Sequence, residues 1–268
     1  MIVLWLALFL LLGAAVGSFL NVTADRLPAG KSIVSPSSHC PDCQRHIEYK
    51  DLVPIFSYLW LKGHCRYCKA TIPMRLFWVE LGTAVLFAFL YWRYSLGWEL
   101  GMLAFYCCLF IVLMVIDLEH GILPNKIVYP GMVVALVVAI LGSIFGFEPR
   151  NVAGSGFGLW IVDAVIGGGI YAGFLFIVAL ISIALGREGM GGGDVKLAGL
   201  IGLVIGWPLV LVAMFLAIVG GGLVAGILLL FKVRKRKETI PFGPFLSLAA
   251  MATLFWGNSL LNWYMGLY

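Results

Sequence analysis

Charge is scarce in this chain. Only 12% of its 268 residues are Asp, Glu, Lys or Arg, while 62% are hydrophobic; a soluble domain carries about twice that charged share. The shortage excludes an ordinary water-soluble enzyme. Eighteen Lys and Arg, scattered between apolar runs, are also too few for a long basic surface that would take nucleic acid. The N-terminus has no basic leading segment of the secretory kind, so the first apolar run reads as a retained helix. Neither an internal repeat nor a low-complexity linker stands out. Cysteine is present but not as a disulfide framework: four of the six form two tight pairs, a spacing that suggests metal on a reducing side of a membrane.

What the chain does have is length in its apolar runs. A helix needs about 20 predominantly apolar residues to cross a hydrocarbon core of about 30 Å. Runs of that kind cover 1–20, 76–92, 100–116, 127–147, 157–185 and 241–264. The stretch 197–231 is long enough for two short spans broken near Gly206-Trp207-Pro208. The sequence therefore predicts an all-α polytopic membrane protein of about eight transmembrane helices, in contact with lipid. Gly167-Gly168-Gly169 and Gly220-Gly221-Gly222 fall within spans and predict close helix packing.

Eight spans make the loops alternate sides, and basic loops stay cytoplasmic. One side then collects sixteen of the eighteen Lys and Arg, among them Arg26, Lys31, Arg66, Arg75, Lys126, Lys196 and the cluster at 232–237. The other side holds Arg93 and Arg150. This asymmetry puts both termini outside the cytoplasm. It makes 21–75 the one sizeable cytoplasmic element, inserted between a first helix at 1–20 and a membrane domain at 76–268.

That element is too small and polar to bury a core unaided, so a staple is expected. Cys40-Pro41-Asp42-Cys43 and Cys65-Arg66-Tyr67-Cys68 supply one, with 21 residues between the pairs. Two such knuckles can place four thiolates around Zn²⁺ in a closed, structural site. His39, His46 and His64 are then not needed as ligands. Cys107 and Cys108 lie inside a span and read as core packing.

Acids in or at the edge of spans are costly and therefore informative. Asp117 ends the third span, and Asp194 follows Gly191-Gly192-Gly193 just before the sixth. Both fall at the cytoplasmic boundary. Two carboxylates at one depth, reached from different helices, can share a proton and activate a water, as aspartyl proteolysis requires. The three glycines remove side chains that would block an extended substrate backbone and permit a non-helical approach. Simpler roles for the two acids are helix capping or pairing with Lys126 or Lys196. Asp163 falls on the opposite side, where solvation at a helix end is expected. Glu80 lies about one turn inside the second span, available to pack, to bind substrate or to pair with Arg75.

At this point the residues resemble a known family, the type IV prepilin peptidases, within the G-x-G-D intramembrane aspartyl proteases. The resemblance rests on Gly17-Ser18-Phe19-Leu20-Asn21-Val22 with Arg26-Leu27-Pro28, on the double cysteine pair, and on Asp117 followed by Leu123-Pro124. It continues through Gly189-Met190-Gly191-Gly192-Gly193-Asp194-Val195-Lys196-Leu197 and Ile240-Pro241-Phe242-Gly243-Pro244-Phe245-Leu246. A presenilin-type Pro-Ala-Leu tripeptide is absent. The resemblance implies a bacterial inner-membrane endopeptidase that removes the basic leader of type IV prepilins and pseudopilins after a glycine. It also implies methylation of the new N-terminus by S-adenosylmethionine, with a peptidase-only enzyme as the alternative. Asp117 and Asp194 match the catalytic aspartates, and Cys40, Cys43, Cys65 and Cys68 the zinc ligands. No Gly-rich nucleotide loop follows a strand, so the methyl-transfer residues are unassigned, with Glu80 and 21–75 the places to look. Two other classes remain at this level: a transporter using the two acids as a proton relay, and a non-enzymatic zinc-stapled assembly factor.

Overall fold

The computed structural model describes residues 2–35, 37–146, 159–186, 191–231 and 241–267. The sequence-based span ends at Phe147 and Phe157, the residues Arg150, Arg187, Gly189, Met190 and Ile240, and the basic cluster at 232–237 lie outside the described residues. Among the described residues the regular structure is helical, with two isolated bridges and no strand.

The long helices are α1 (Ile2–Arg26), α3 (Met74–Tyr94), α4 (Trp98–His120), α5 (Asn125–Phe145), α6 (Trp160–Ala184), α8 (Val210–Leu230) and α9 (Gly243–Met265). These seven are long and apolar enough to cross a membrane. The expected eighth is α7 (Gly192–Ile205), which has only 14 residues and a reach of about 21 Å. The break falls where the sequence placed it, with Gly206 in a left-handed conformation at φ 74°. Large apolar side chains such as Leu8, Val133, Ile177, Phe215 and Leu223 are exposed along the helices, as a multi-pass membrane protein requires.

The chain divides into two compact units, residues 1–112 and 113–268, with the boundary inside α4. In the first unit α1 and α3 run antiparallel at very close range. A Cβ on Gly13 would meet the Thr83 carbonyl oxygen at 2.6 Å, and one on Gly17 the Glu80 Cα at 2.8 Å. Phe9 stacks on Tyr91 with ring centroids 4.8 Å apart. Helix α1 runs on past residue 20 to Arg26, and Asn21 of that added turn donates from Nδ2 to the Leu76 carbonyl oxygen at 3.0 Å.

The segment between α1 and α3 contains a short 3-10 turn (Tyr49–Asp51) and the five-residue α2 (Phe56–Trp60). Its two cysteine knuckles repeat one backbone design that the side chains conceal. Cys40 N–H bonds the Arg45 carbonyl and Gln44 N–H the Cys40 carbonyl; Cys65 N–H bonds the Ala70 carbonyl and Lys69 N–H the Cys65 carbonyl. Gln44 and Lys69 both take left-handed backbone, and bridges His39–His46 and His64–Thr71 close the two loops. Beyond His39/His64 and the cysteines the paired segments share no residue, which is why no repeat was visible in the sequence.

In the second unit α6 and α7 run antiparallel with backbones nearly touching. A Cβ on Gly167 would meet the Gly202 carbonyl oxygen at 2.7 Å, and one on Gly168 the Leu203 side chain at 3.0 Å. The glycine triplets thus contribute as expected, though only in part: Gly169, Gly220 and Gly222 face open space, whereas Gly221 sits against Phe242. Helix α5 closes another side of α7, Met132 approaching Gly199. Leu197, Ala198, Leu200 and Ile201 are fully buried, so α7 is enclosed by protein.

Candidate active site

Asp117 lies in the last turn of α4 and is 6% exposed. Its Oδ2 accepts the backbone N–H of Gly243 at 3.1 Å, across 126 residues of sequence. Gly243 is the first residue of α9, whose N-terminal turn also carries Pro244. Proline is pre-shaped for that position and lacks the N–H that would go unpaired there. The approach is close enough that a Cβ on Gly243 would meet Asp117 Oδ2 at 2.5 Å and Cγ at 3.0 Å.

Asp194 occupies the first turn of α7, and its own N–H bonds back to the Gly191 carbonyl at 3.0 Å. Gly191 is extended at φ −63°, ψ 140°, whereas the non-helical backbone expected of Gly192 and Gly193 needs correction, since both already belong to α7. The Asp194–Gly191 bond starts the helix early. At Gly193 an added Cβ would meet the Leu123 side chain at 3.1 Å, so the residue is small because α7 begins against the α4–α5 loop.

The carboxylate of Asp117 is near enough for its charge to act on Asp194. Lys196 does not pair with either acid; its Nζ reaches Asn125 Oδ1 at 3.0 Å and sits over the Tyr129 ring. The contacts of Gly199 with Ala172 and of Gly202 with Gly167 and Gly168 set the register of the α6–α7 pair. In that register Asp194 falls about eight residues, or about 12 Å, short of the end of α6. Asp194 is therefore recessed along α6.

Two other acids are also singled out by the sequence. Of the roles open to Glu80, packing is the one seen, and Arg75 reaches Asp25 at 2.6 Å. Glu80 is buried and accepts the Ile55 N–H at 2.7 Å and the Ser18 hydroxyl, pinning the cysteine-bearing segment to α3. Asp163 is buried at the start of α6 rather than solvated, and its backbone carbonyl accepts the Trp207 N–H.

In the first unit Cys40, Cys43, Cys65 and Cys68 converge, with all four sulfurs within 4.8 Å of one another. The Cys40–Cys68 separation is 3.7 Å; a tetrahedron with metal–sulfur bonds of about 2.3 Å has edges of about 3.8 Å. Backbone N–H groups of Cys68 and Tyr67 pull the Cys65 thiol down to about 7. At Cys68 the Ala70 N–H is outweighed by burial and by the three neighbouring thiols, which push it up to about 12. Such crowding of thiols is relieved by a divalent cation, so the four-cysteine cluster fits a metal ion. His39 and His64 turn their Nδ1 atoms to backbone carbonyls of Ser37 and Lys62. Beside the cluster, Asp51 is held by a two-pronged Arg66 contact at 2.5 and 2.8 Å, and this keeps its carboxyl below the usual range.

Two family descriptions match the chain: Bacterial Peptidase A24 N-terminal domain over residues 11–94, and Type IV leader peptidase family over residues 103–226. Curated relatives align end to end. A protein of Aeromonas salmonicida is 31% identical, covering 98% of this chain and 94% of that protein. One of Pseudomonas aeruginosa is 30% identical, covering 96% and 92%. The chain belongs to the type IV leader peptidase family. A more distant relative from Bacillus subtilis is 29% identical over 97% of this chain and 98% of its own length. All three relatives are named prepilin leader peptidase/N-methyltransferase. No solved structure matches the chain.

For this member of the family, the residue that sequence reasoning left without a role is Gly243. Its signal was present: Phe242-Gly243-Pro244 marks a helix start. Nothing local indicated that the helix would open onto Asp117.

Proposed function

We propose that this protein is an intramembrane aspartyl endopeptidase that removes the basic leader of type IV prepilins and pseudopilins. The cut falls after a glycine, at the cytoplasmic end of the substrate helix. The observation that carries the reading is the meeting of two acids from distant segments, Asp117 at the end of α4 and Asp194 at the start of α7. Carboxylates sharing a site share a proton. The ionised one takes a proton from water as the oxygen attacks the scissile carbonyl carbon, and its partner protonates the carbonyl oxygen. The tetrahedral diol then collapses: the first acid passes its proton to the leaving nitrogen, the second recovers one from the diol, and both return to their starting states.

The recess of Asp194 supports this chemistry, since a substrate must bring an extended peptide bond below the membrane surface. The lipid-facing apolar helices and the basic loops support an inner-membrane, multi-pass protein with both termini outside the cytoplasm. A basic leader is retained in the cytoplasm by the same electrostatics that orient this chain. A proton-relay transporter would instead place its acids near the middle of broken helices, whereas Asp117 and Asp194 stand at helix ends.

Cys40, Cys43, Cys65 and Cys68 hold a structural Zn²⁺, which would fix the segment between α1 and α3. Methylation of the new N-terminal amine from S-adenosylmethionine is the second activity, resting on the names of the relatives. Among the described residues there is no strand to carry the Gly-rich cofactor turn, and no residue is assigned to the methyl donor. The test is to incubate purified protein with a prepilin, with and without S-adenosylmethionine, and weigh the products. Cleavage after the leader glycine, with a 14 Da increase only when the donor is present (about one methyl group, the covalent mark expected here), is the expected outcome. An intact precursor would refute the peptidase reading.

A further inference from the structure

We infer that the first turn of α9 divides the labour between the two acids: the Gly243 N–H fixes Asp117 as the ionised, water-activating carboxylate and leaves Asp194 as the proton donor. The inference rests on the peptidase reading above and deepens it. Three observations carry it. The bond from Gly243 N–H to Asp117 Oδ2, at 3.1 Å, is buried and joins two helices 126 residues apart in sequence. A helix N-terminus presents unpaired N–H groups and a partial positive charge, both of which favour an anion over a neutral acid. And the space between them is so small that the Gly243 Cβ position lies 2.5 Å from Oδ2, so only glycine lets the donor approach.

Asp194 sits differently. It too is in the first turn of a helix, but its backbone N–H is spent on the Gly191 carbonyl, so among the described residues no helix N–H of its own turn is seen on its carboxylate. Among the described residues the titratable group coupled to Asp117 is Asp194, while the one cation on α7, Lys196, is engaged by Asn125 and Tyr129. The asymmetry therefore comes from α9. Gly243 is a positioning residue, acting on the substrate through Asp117.

The decisive variant removes the donor without adding bulk. Cell-free synthesis with an acylated suppressor tRNA can place glycolic acid at position 243, turning the amide N–H into an ester oxygen. For prepilin cleavage kcat should fall about tenfold or more, since a hydrogen bond to a charged group contributes on the order of 1.5–3 kcal/mol. KM should stay unchanged, and the acidic limb of the kcat/KM profile should move to higher pH because the ionised carboxylate has lost its donor. Gly243→Ala, read in the same assay, should lower kcat further at unchanged KM. Gly222→Ala, where the added Cβ meets open space, should match wild type. If wild type cleaves and both 243 variants keep its kcat and its pH limb, the inference is wrong while the peptidase reading stands. Failure of wild type to cleave would sink both.

Discussion

The cysteine segment and the aspartate site are assembled on different length scales. Each cysteine knuckle is closed by hydrogen bonds spanning four or five residues, and the design is built twice, so each half of the four-cysteine site is a local event. Asp117, Asp194 and Gly243 come from three helices and meet only when α4, α7 and α9 are packed. A local site tolerates changes elsewhere and collapses when its own residues go. A site closed over long range depends on glycines remote from the chemistry.

The sharpest break in that comparison is at the acids. Asp194→Asn and Asp117→Asn should each lower leader removal by on the order of 10³-fold while membrane insertion is kept. Undiminished processing by either variant would take that residue out of the mechanism. Next, Cys40→Ser with Cys43→Ser should abolish bound zinc, read by metal analysis of purified protein, and expose 21–75 to protease. Retention of one zinc per chain would overturn the ligand set. Gly202→Leu tests the long-range side: with the Gly167 backbone in the way, overpacking of about 1–3 kcal/mol should lower the unfolding midpoint and activity together, with zinc content unchanged. The smallest effect is expected for Arg66→Met, which leaves buried Asp51 without its two donors. A chelator should then extract zinc at a concentration lower by about one order of magnitude, from a loss of roughly 1–2 kcal/mol.

What could be read from the sequence follows the same division. The C-x-x-C pairs declare themselves because the knuckle is local, and seven of the eight expected spans appear as helices long enough to cross because hydropathy is a property of each segment. The break before α8 was visible at Gly206-Trp207-Pro208. By contrast, α7 as a 14-residue helix beginning at Gly192 was not legible, because its start depends on the Leu123 side chain against Gly193. Of the roles left open for Glu80, the pairing with Arg75 is not the one seen, for a similar reason: α1 continues to Arg26 and brings Asp25 alongside Arg75. Glu80 then turned to the Ile55 N–H, a partner that no spacing rule would suggest.

The shortness of α7 also bears on biogenesis. A segment of 14 residues is too brief to partition into a bilayer on its own, and its first turn holds the carboxylate of Asp194. It must be drawn in by neighbours already threaded, with the bare backbone faces of α6 as the receiving groove. The proteolytic centre would then be the last part of the molecule to come together, leaving the nascent chain inert until its helices have assembled.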